Sequence, residues 1–293
     1  MSNEEIEYHL SQLHTGSVPL IQFADQLQSL KEACVIRNDQ AAAKQLWIYQ
    51  TVLGVHQDYI DIFNDLQGKK YYPAWCALER LEKLFHSLKR HFEFDKTQYW
   101  LWQIEKTVKN LQVLFPYRMF ASTEFLYKKK QCSVCKQEVS IRKSCGHIAG
   151  EIYDGKMCRR EITECDVLGI SLVTNPNNKY SVMFLTDDKT GETYDQYDYS
   201  TLKYLFELIE SPYDEWDLEV SQRIVQKSEF PNIGRNDLCN CESGKKFKHC
   251  CWQLIGTNAP HYEFILKNPS DETRLVNTVK KRFITEYNRN RRA

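Results

Sequence analysis

The 293-residue chain reads as an α+β protein that is predominantly helical. It should hold a helical bundle, a small central α+β domain and a compact knuckle followed by a basic helix. Three observations predict this. Apolar residues recur at helical spacing through the first 127 positions. From Lys128 the texture changes to cysteine, glycine and charge. The cysteines then gather in two short windows, 132–158 and 239–251, leaving Cys34, Cys76 and Cys165 scattered.

The helical half, 1–127, is read from its stripes. Leu20, Phe23, Ala24, Leu27, Leu30 and Cys34 fall on one face, as do Leu46, Tyr49, Leu53, His56, Ile60 and Phe63. Pro73 suits a first helical turn ahead of Trp75, Leu78, Leu81, Phe85, Leu88 and Phe92. Leu101, Ile104, Val108, Leu111 and Phe115 make a fourth stripe. Short connections predict antiparallel packing in a bundle.

The central domain, 128–229, should be metal-bearing. Gly169–Thr174 and Tyr180–Leu185 read as strands joined by a turn at 175–177, with a short strand at 192–194 and a helix over 202–209. Residues 213–228 fit helix and strand equally. The knuckle domain spans 230–267, with FPNIGR at 230–235 reading as linker. A last helix over 268–293 is expected from Asn268-Pro269 and from the stripe Leu275, Val276, Val279, Phe283, Ile284 and Tyr287.

Hydrophobic content of 42% and charged content of 27% suit a protein with a real core. The net charge is zero, so attraction to nucleic acid or membrane needs a local patch. No apolar run is long enough to span a bilayer, and the acidic start MSNEEIEYHL lacks the pattern of a secretion signal. A cytoplasmic location is expected, and there C-x-x-C and C-x-C pairs are metal ligands before they are disulfides.

In the first window Cys132 and Cys135 form C-x-x-C, and Cys145 and His147 form C-x-H. Together they make a three-thiolate, one-imidazole zinc set, with Cys158 as a fifth donor able to replace His147. In the second, GRNDLCNCESGKKFKHCC at 234–251 places Cys239, Cys241, Cys250 and Cys251 as C-x-C-x8-C-C. Two close pairs of thiolates meet zinc's tetrahedral demand with little chain to order, and Ser243-Gly244 turns the chain between them. Lys245, Lys246, Lys248 and Arg235 offset the charge of a four-thiolate centre. Two zinc ions are expected.

This second segment resembles the SEC-C motif, the zinc knuckle at the C-terminal end of the SecA preprotein translocase and of many otherwise unrelated proteins. Gly234, Arg235, Asn236, Asp237, Cys239, Cys241, Ser243, Gly244, Lys245, Lys246, Lys248, His249 and Cys250 match its pattern. Leu238 and Asn240 replace prolines, Glu242 replaces a glycine, and Cys251 takes the place of a final His or Cys. The resemblance assigns Cys251 rather than His249 as fourth ligand. It implies macromolecular contact, since the translocase knuckle meets the SecB chaperone and membrane lipid. The central block, with H-x-x-G-x-x-Y-x-G-x-x-C, is similar to uncharacterised bacterial and phage proteins. A bacterial origin is implied.

No H-E-x-x-H, nucleophile elbow, phosphate loop or dinucleotide fingerprint is present, and both ligand sets close with four protein donors. The functional expectation is a zinc-binding, non-catalytic interaction or adaptor protein with a protein or nucleic-acid partner. The alternative is a metal-dependent hydrolase or nuclease with an acidic site that only folding assembles and the sequence does not reveal; Asp187, Asp188, Asp195 and Asp198 could be imagined as a magnesium site, though turn and helix-start roles explain them better. Lys128–Lys130, the knuckle lysines and the basic residues of the last helix are the cationic patches.

Overall fold

A computed structural model describes residues 1–226, 233–239, 243–252, 254, 256–268 and 271–280. The chain is α+β and divides into two compact units. One comprises Met1–Lys109 with Tyr117–Met183, the other Asn110–Pro116 with Phe184–Ala293.

The first unit begins with α1 (Asn3–Ser11), whose Ser2 and Glu5 form a capping box. Helices α2 (Leu20–Ile36), α3 (Gln40–Gln67) and α4 (Tyr71–Lys89) follow, and α3 packs against both neighbours. The expected stripes form this core: Phe23, Leu27, Leu53, Leu78, Leu81 and Leu88 are all nearly inaccessible. Burial of such side chains contributes about 1.5–3 kcal/mol each. α3 buries Val52, Tyr59, Ile62 and Leu66 as well, because a central helix must be apolar on two faces. His56 is enclosed there, its Nε2 2.8 Å from the Tyr99 carbonyl oxygen. The last turn of α5 (Leu101–Leu114) belongs to the second unit.

Helix does not reach residue 127. A strand β1 (Phe120–Cys132) begins first and pairs antiparallel with β4 (Arg160–Val173). The aromatic and β-branched content of FASTEFLY favours strand once a partner supplies the hydrogen bonds. Lys128 and Lys129 are cross-strand members of this ribbon, 2.6 Å from Asp166 and Glu164 respectively. The two strands expected over 169–174 and 180–185 are not both formed. The first segment lies in β4 and pairs with β1, while Val182 makes only an isolated bridge to Phe120. Between β1 and β4 sits a small hairpin, β2 (Ile152–Tyr153) and β3 (Lys156–Met157).

In the second unit β5 (Leu185–Thr186) pairs with β6 (Thr193–Tyr194), and α6 (Ser200–Leu208) follows close to its expected position. Strand β7 (Trp216–Gln226) resolves the ambiguous stretch. It pairs with β8 (Gly256–Asn268), which pairs in turn with β9 (Asp271–Lys280). Phe264 is the centre of this core, edge-on to Trp216 at 5.9 Å and tilted against Tyr204 of α6 at 6.3 Å. The helix expected over 268–293 is therefore corrected over 271–280, which is strand. Thr273, Val276, Thr278 and Val279 are β-branched, and β8 offers an edge that a helix would leave unpaired. Residues 281–293 lie outside those described. No helix among the described residues is long and apolar enough to cross a membrane.

Candidate metal centres

The ribbon determines the central cluster. In its register Cys132 faces Arg160, so the chain enters and leaves the cysteine-rich segment at adjacent points. Cys158 therefore returns beside Cys132, with their sulfurs 3.7 Å apart. At Cys132-Ser133-Val134-Cys135 the backbone folds into a tight turn: Lys136 N–H donates to the Cys132 carbonyl, and Cys132 N–H donates to Gln137, both at 2.9 Å. Lys136 closes the turn at φ +57°, a left-handed conformation that costs a non-glycine residue about 1 kcal/mol. The hairpin β2–β3 turns through Asp154 (φ +48°) and Gly155 (φ +62°), the two positive angles of a type I′ turn. Cys158 N–H then donates to the Glu151 carbonyl at 2.8 Å.

These elements bring the donor atoms of Cys132, Cys135, Cys145 and His147 within 4.8 Å of one another. This is the set expected from the sequence. Cys158 adds a fourth sulfur, and its distance from Cys132 is close to the roughly 3.8 Å edge of a tetrahedron with Zn–S bonds near 2.3 Å. His147 Nδ1 is buried without a hydrogen-bond partner. A buried orphan nitrogen is costly, and one nitrogen of this ring lies within 4.8 Å of the three sulfurs, so the donors fit a metal. The ring is held edge-on against Tyr153 at 4.7 Å, and Tyr153 Oη accepts the Ile148 N–H at 3.1 Å.

Burial opposes ionisation of Cys132, but N–H donors of Cys135 and Val134 and the thiols of Cys145 and Cys158 outweigh it, taking its pKa down to about 6. The same crowding raises Cys158, through burial first and then the Cys132 sulfur. One thiolate is thus favoured even before an ion enters. Arg160 is a residue that sequence reasoning passed over. It donates to the His147 carbonyl at 2.5 Å and to the Cys158 sulfur at 3.5 Å. The signal was a guanidinium two residues beyond a cysteine, which pattern-reading of ligands ignores.

The C-terminal knuckle is built on a smaller scale. Asp237 Oδ2 accepts the Gly234 N–H at 2.7 Å, and the Asp237 carbonyl accepts the Phe247 N–H at 2.7 Å. Cys239 N–H donates to Lys245 at 2.8 Å, so the two arms are clasped on either side of Gly244 (φ +71°). Cys239, Cys250 and Cys251 hold their sulfurs within 4.8 Å of one another, and the Cys250–Cys251 separation is 3.7 Å. Cys241 lies outside the described residues. Phe247 fills the small core with Cys239, Cys251 and Ile233, and Trp252 stands edge-on to it at 5.4 Å. Arg235 lies over the Trp252 ring at 5.2 Å, a cation–π contact rather than an open stacking surface. Lys245 and Lys246 are exposed.

Three of the four carboxylates considered for an acidic site, Asp187, Asp195 and Asp198, have local duties. Asp187 accepts the N–H groups of Lys189 and Thr190, both at 2.8 Å, and these hold its carboxyl below the usual range. Asp195 accepts Tyr199 Oη at 2.6 Å, and Asp198 accepts Ser200 N–H at 2.8 Å at the start of α6.

Residues 235–253 match the SEC-C motif. Over 37 residues the chain is 51% identical to the protein translocase subunit SecA of Clostridium perfringens strain ATCC 13124, covering 13% of this chain and 4% of the translocase. The SecA subunits of C. perfringens strains SM101 and 13 are each 49% identical over 37 residues, with the same shares covered. The chain thus spans about 4% of the length of the curated relatives it matches. No solved structure matches. Both Cys/His clusters could hold metal ions, and neither likeness reaches the rest of the chain.

Proposed function

We propose that this protein is a zinc-stabilised, non-catalytic interaction protein of the cytoplasm. One zinc is held by Cys132, Cys135, Cys145 and His147, the other by Cys239, Cys241, Cys250 and Cys251. The observation that carries the reading is the convergence of donor atoms to within 4.8 Å at two separate places. Thiolate and imidazole are the donors zinc prefers, and four protein ligands leave no open position for a reacting water. Structural zinc supplies about 10–16 kcal/mol of binding free energy to a small module that lacks a sizeable core. The knuckle, whose core rests on one phenylalanine, needs such a contribution. Metal analysis of protein purified under reducing conditions should find about two zinc ions per chain; fewer than one sinks the proposal.

The knuckle is the element we assign to contact with a macromolecular partner, and protein is the favoured class. Lys128 and Lys129 are each neutralised by a cross-strand carboxylate, which weakens the case for a continuous phosphate-binding track. A pull-down comparing the intact chain with the Cys239→Ser, Cys241→Ser double variant should lose a defined protein from the variant. Salt-dependent retention on nucleic acid, unaltered in that variant, would refute this partner assignment.

A further inference from the structure

Above the helices of the first unit lies a cavity of about 800 Å³, within the range of small-molecule sites. One wall is a single face of α3, carrying Trp47, Gln50, Thr51 and Gly54 at helical spacing. The opposite lining comes from the cysteine-rich segment, including the hairpin turn at Asp154-Gly155. Gln40 pins that turn from the start of α3: its Nε2 donates to Asp154 Oδ1 at 2.7 Å, and its Oε1 accepts the Asp154 N–H at 3.0 Å. Gly54 is not demanded by packing, since an added Cβ would meet nothing within 4 Å. A glycine inside a long helix costs about 1 kcal/mol relative to alanine, and here it leaves the cavity wider.

The charge of this cavity is unbalanced. Lys136 is paired with Glu161 at 2.9 Å, and Asp154, held by the neutral amide of Gln40, keeps its negative charge, so four cationic side chains share the lining with two carboxylates. Lys31, Lys156 and Arg159 also line it, and none has a carboxylate within ion-pair distance among the described residues. Lys31 is only 9% exposed. Its Cγ and Cδ run so close under Gly155 that a Cβ there would lie 2.8 and 2.6 Å from them. The stem is thereby fixed, and burial together with the Lys156 charge lowers the ammonium's pKa. The Lys31 side chain is mostly enclosed while its ammonium still meets solvent, and with no carboxylate partner and a second ammonium nearby it offers an anion a pre-placed positive site. Trp47, Leu84, Val134 and Met157 give the same cavity an apolar surface.

We infer that this cavity is a binding site for a small phosphorylated molecule bearing an aromatic ring, of the nucleoside monophosphate class, with its phosphate between Lys31 and Lys156 and its ring against Trp47. A phosphate is compact enough for two ammoniums to share, and an indole face suits a base. The site does not depend on the metal assignment for its evidence, although Ser133, Val134 and Met157 belong to the cysteine-rich segment. Calorimetric titration of the full-length chain with adenosine 5′-monophosphate, and separately with inorganic phosphate, tests it, with zinc content measured on the same sample. Saturable binding of the nucleotide at one site is expected, weakened at least about tenfold in Lys31→Gln and in Lys156→Gln and weakened also in Trp47→Leu. Lys156 is exposed, so that variant should fold even if Lys31→Gln does not. The inference is overturned by absence of nucleotide binding, by unchanged affinity in Lys156→Gln, or by inorganic phosphate binding as tightly as the nucleotide. Tighter binding of a single-stranded oligonucleotide than of the mononucleotide would overturn it in favour of a nucleic-acid groove. Nucleotide binding in a sample with less than one zinc per chain supports this inference while removing the proposed function above.

Discussion

His147 brings a ring nitrogen within 4.8 Å of three sulfurs and has a buried Nδ1 without a hydrogen-bond partner, while Cys158 places a fourth sulfur 3.7 Å from Cys132. Ligation by His147 predicts that His147→Gln lowers metal content by about one zinc per chain and that Cys158→Ser leaves it unchanged. The reverse result would make Cys158 the fourth ligand and His147 its neighbour. A different histidine governs stability against acid. His56 is fully enclosed, and burial, aided by His14, takes its pKa down to about 4 despite the bond to the Tyr99 carbonyl. Between pH 6.5 and 4 the unfolded chain binds this proton and the folded chain does not, so stability falls as pH falls through that window. The loss approaches roughly 3 kcal/mol at its lower end. Urea unfolding midpoints between pH 7 and 4.5 should drop for the native chain, and less steeply for His56→Gln.

Two glycines make opposite predictions about the elements that contain them. Gly54 sits inside α3 with open space where a Cβ would go, so Gly54→Ala should stabilise the protein by about 0.5–1 kcal/mol. Gly155 sits in the left-handed region at φ +62° with Lys31 pressed beneath it; Gly155→Ala should destabilise by roughly 1–2 kcal/mol. Thermal unfolding of the two variants should move in opposite directions, and a shared sign would contradict the packing described for the hairpin. The helices were legible because one-face stripes such as Leu46, Tyr49, Leu53 and Phe63 are local and repeat over many turns. Strand β1 was not, since Lys128–Lys130 obscure alternation and its pairing partner lies some forty positions away. Strand β9 misled for a related reason. Its residues fit a helical stripe, and only the waiting edge of β8 decides between the two states.

At the scale of the whole molecule, the two candidate metal clusters stand in unequal surroundings. The knuckle has a core of a few residues inside the second unit, whereas the central cluster belongs to the unit that holds the long helices α2, α3 and α4. A strong chelator under reducing conditions should therefore abolish hydrogen-exchange protection over 235–252 while most of the far-UV helical signal persists. Loss of the helical signal together with the metal would instead place α2–α4 under metal control.

The sequence by itself determined which candidate donors lie together: residues two to four apart, such as Cys132 and Cys135 or Cys145 and His147, have no room to be far from one another, so their proximity is written locally. Tertiary structure alone decided which pairs share a site with which neighbours. The β1–β4 register returns Cys158 and Arg160 to Cys132, and the β2–β3 turn lays Gly155 over Lys31 to enclose a cationic cavity. Such meetings depend on strand pairing and burial between distant segments, and no local pattern along the chain encodes them.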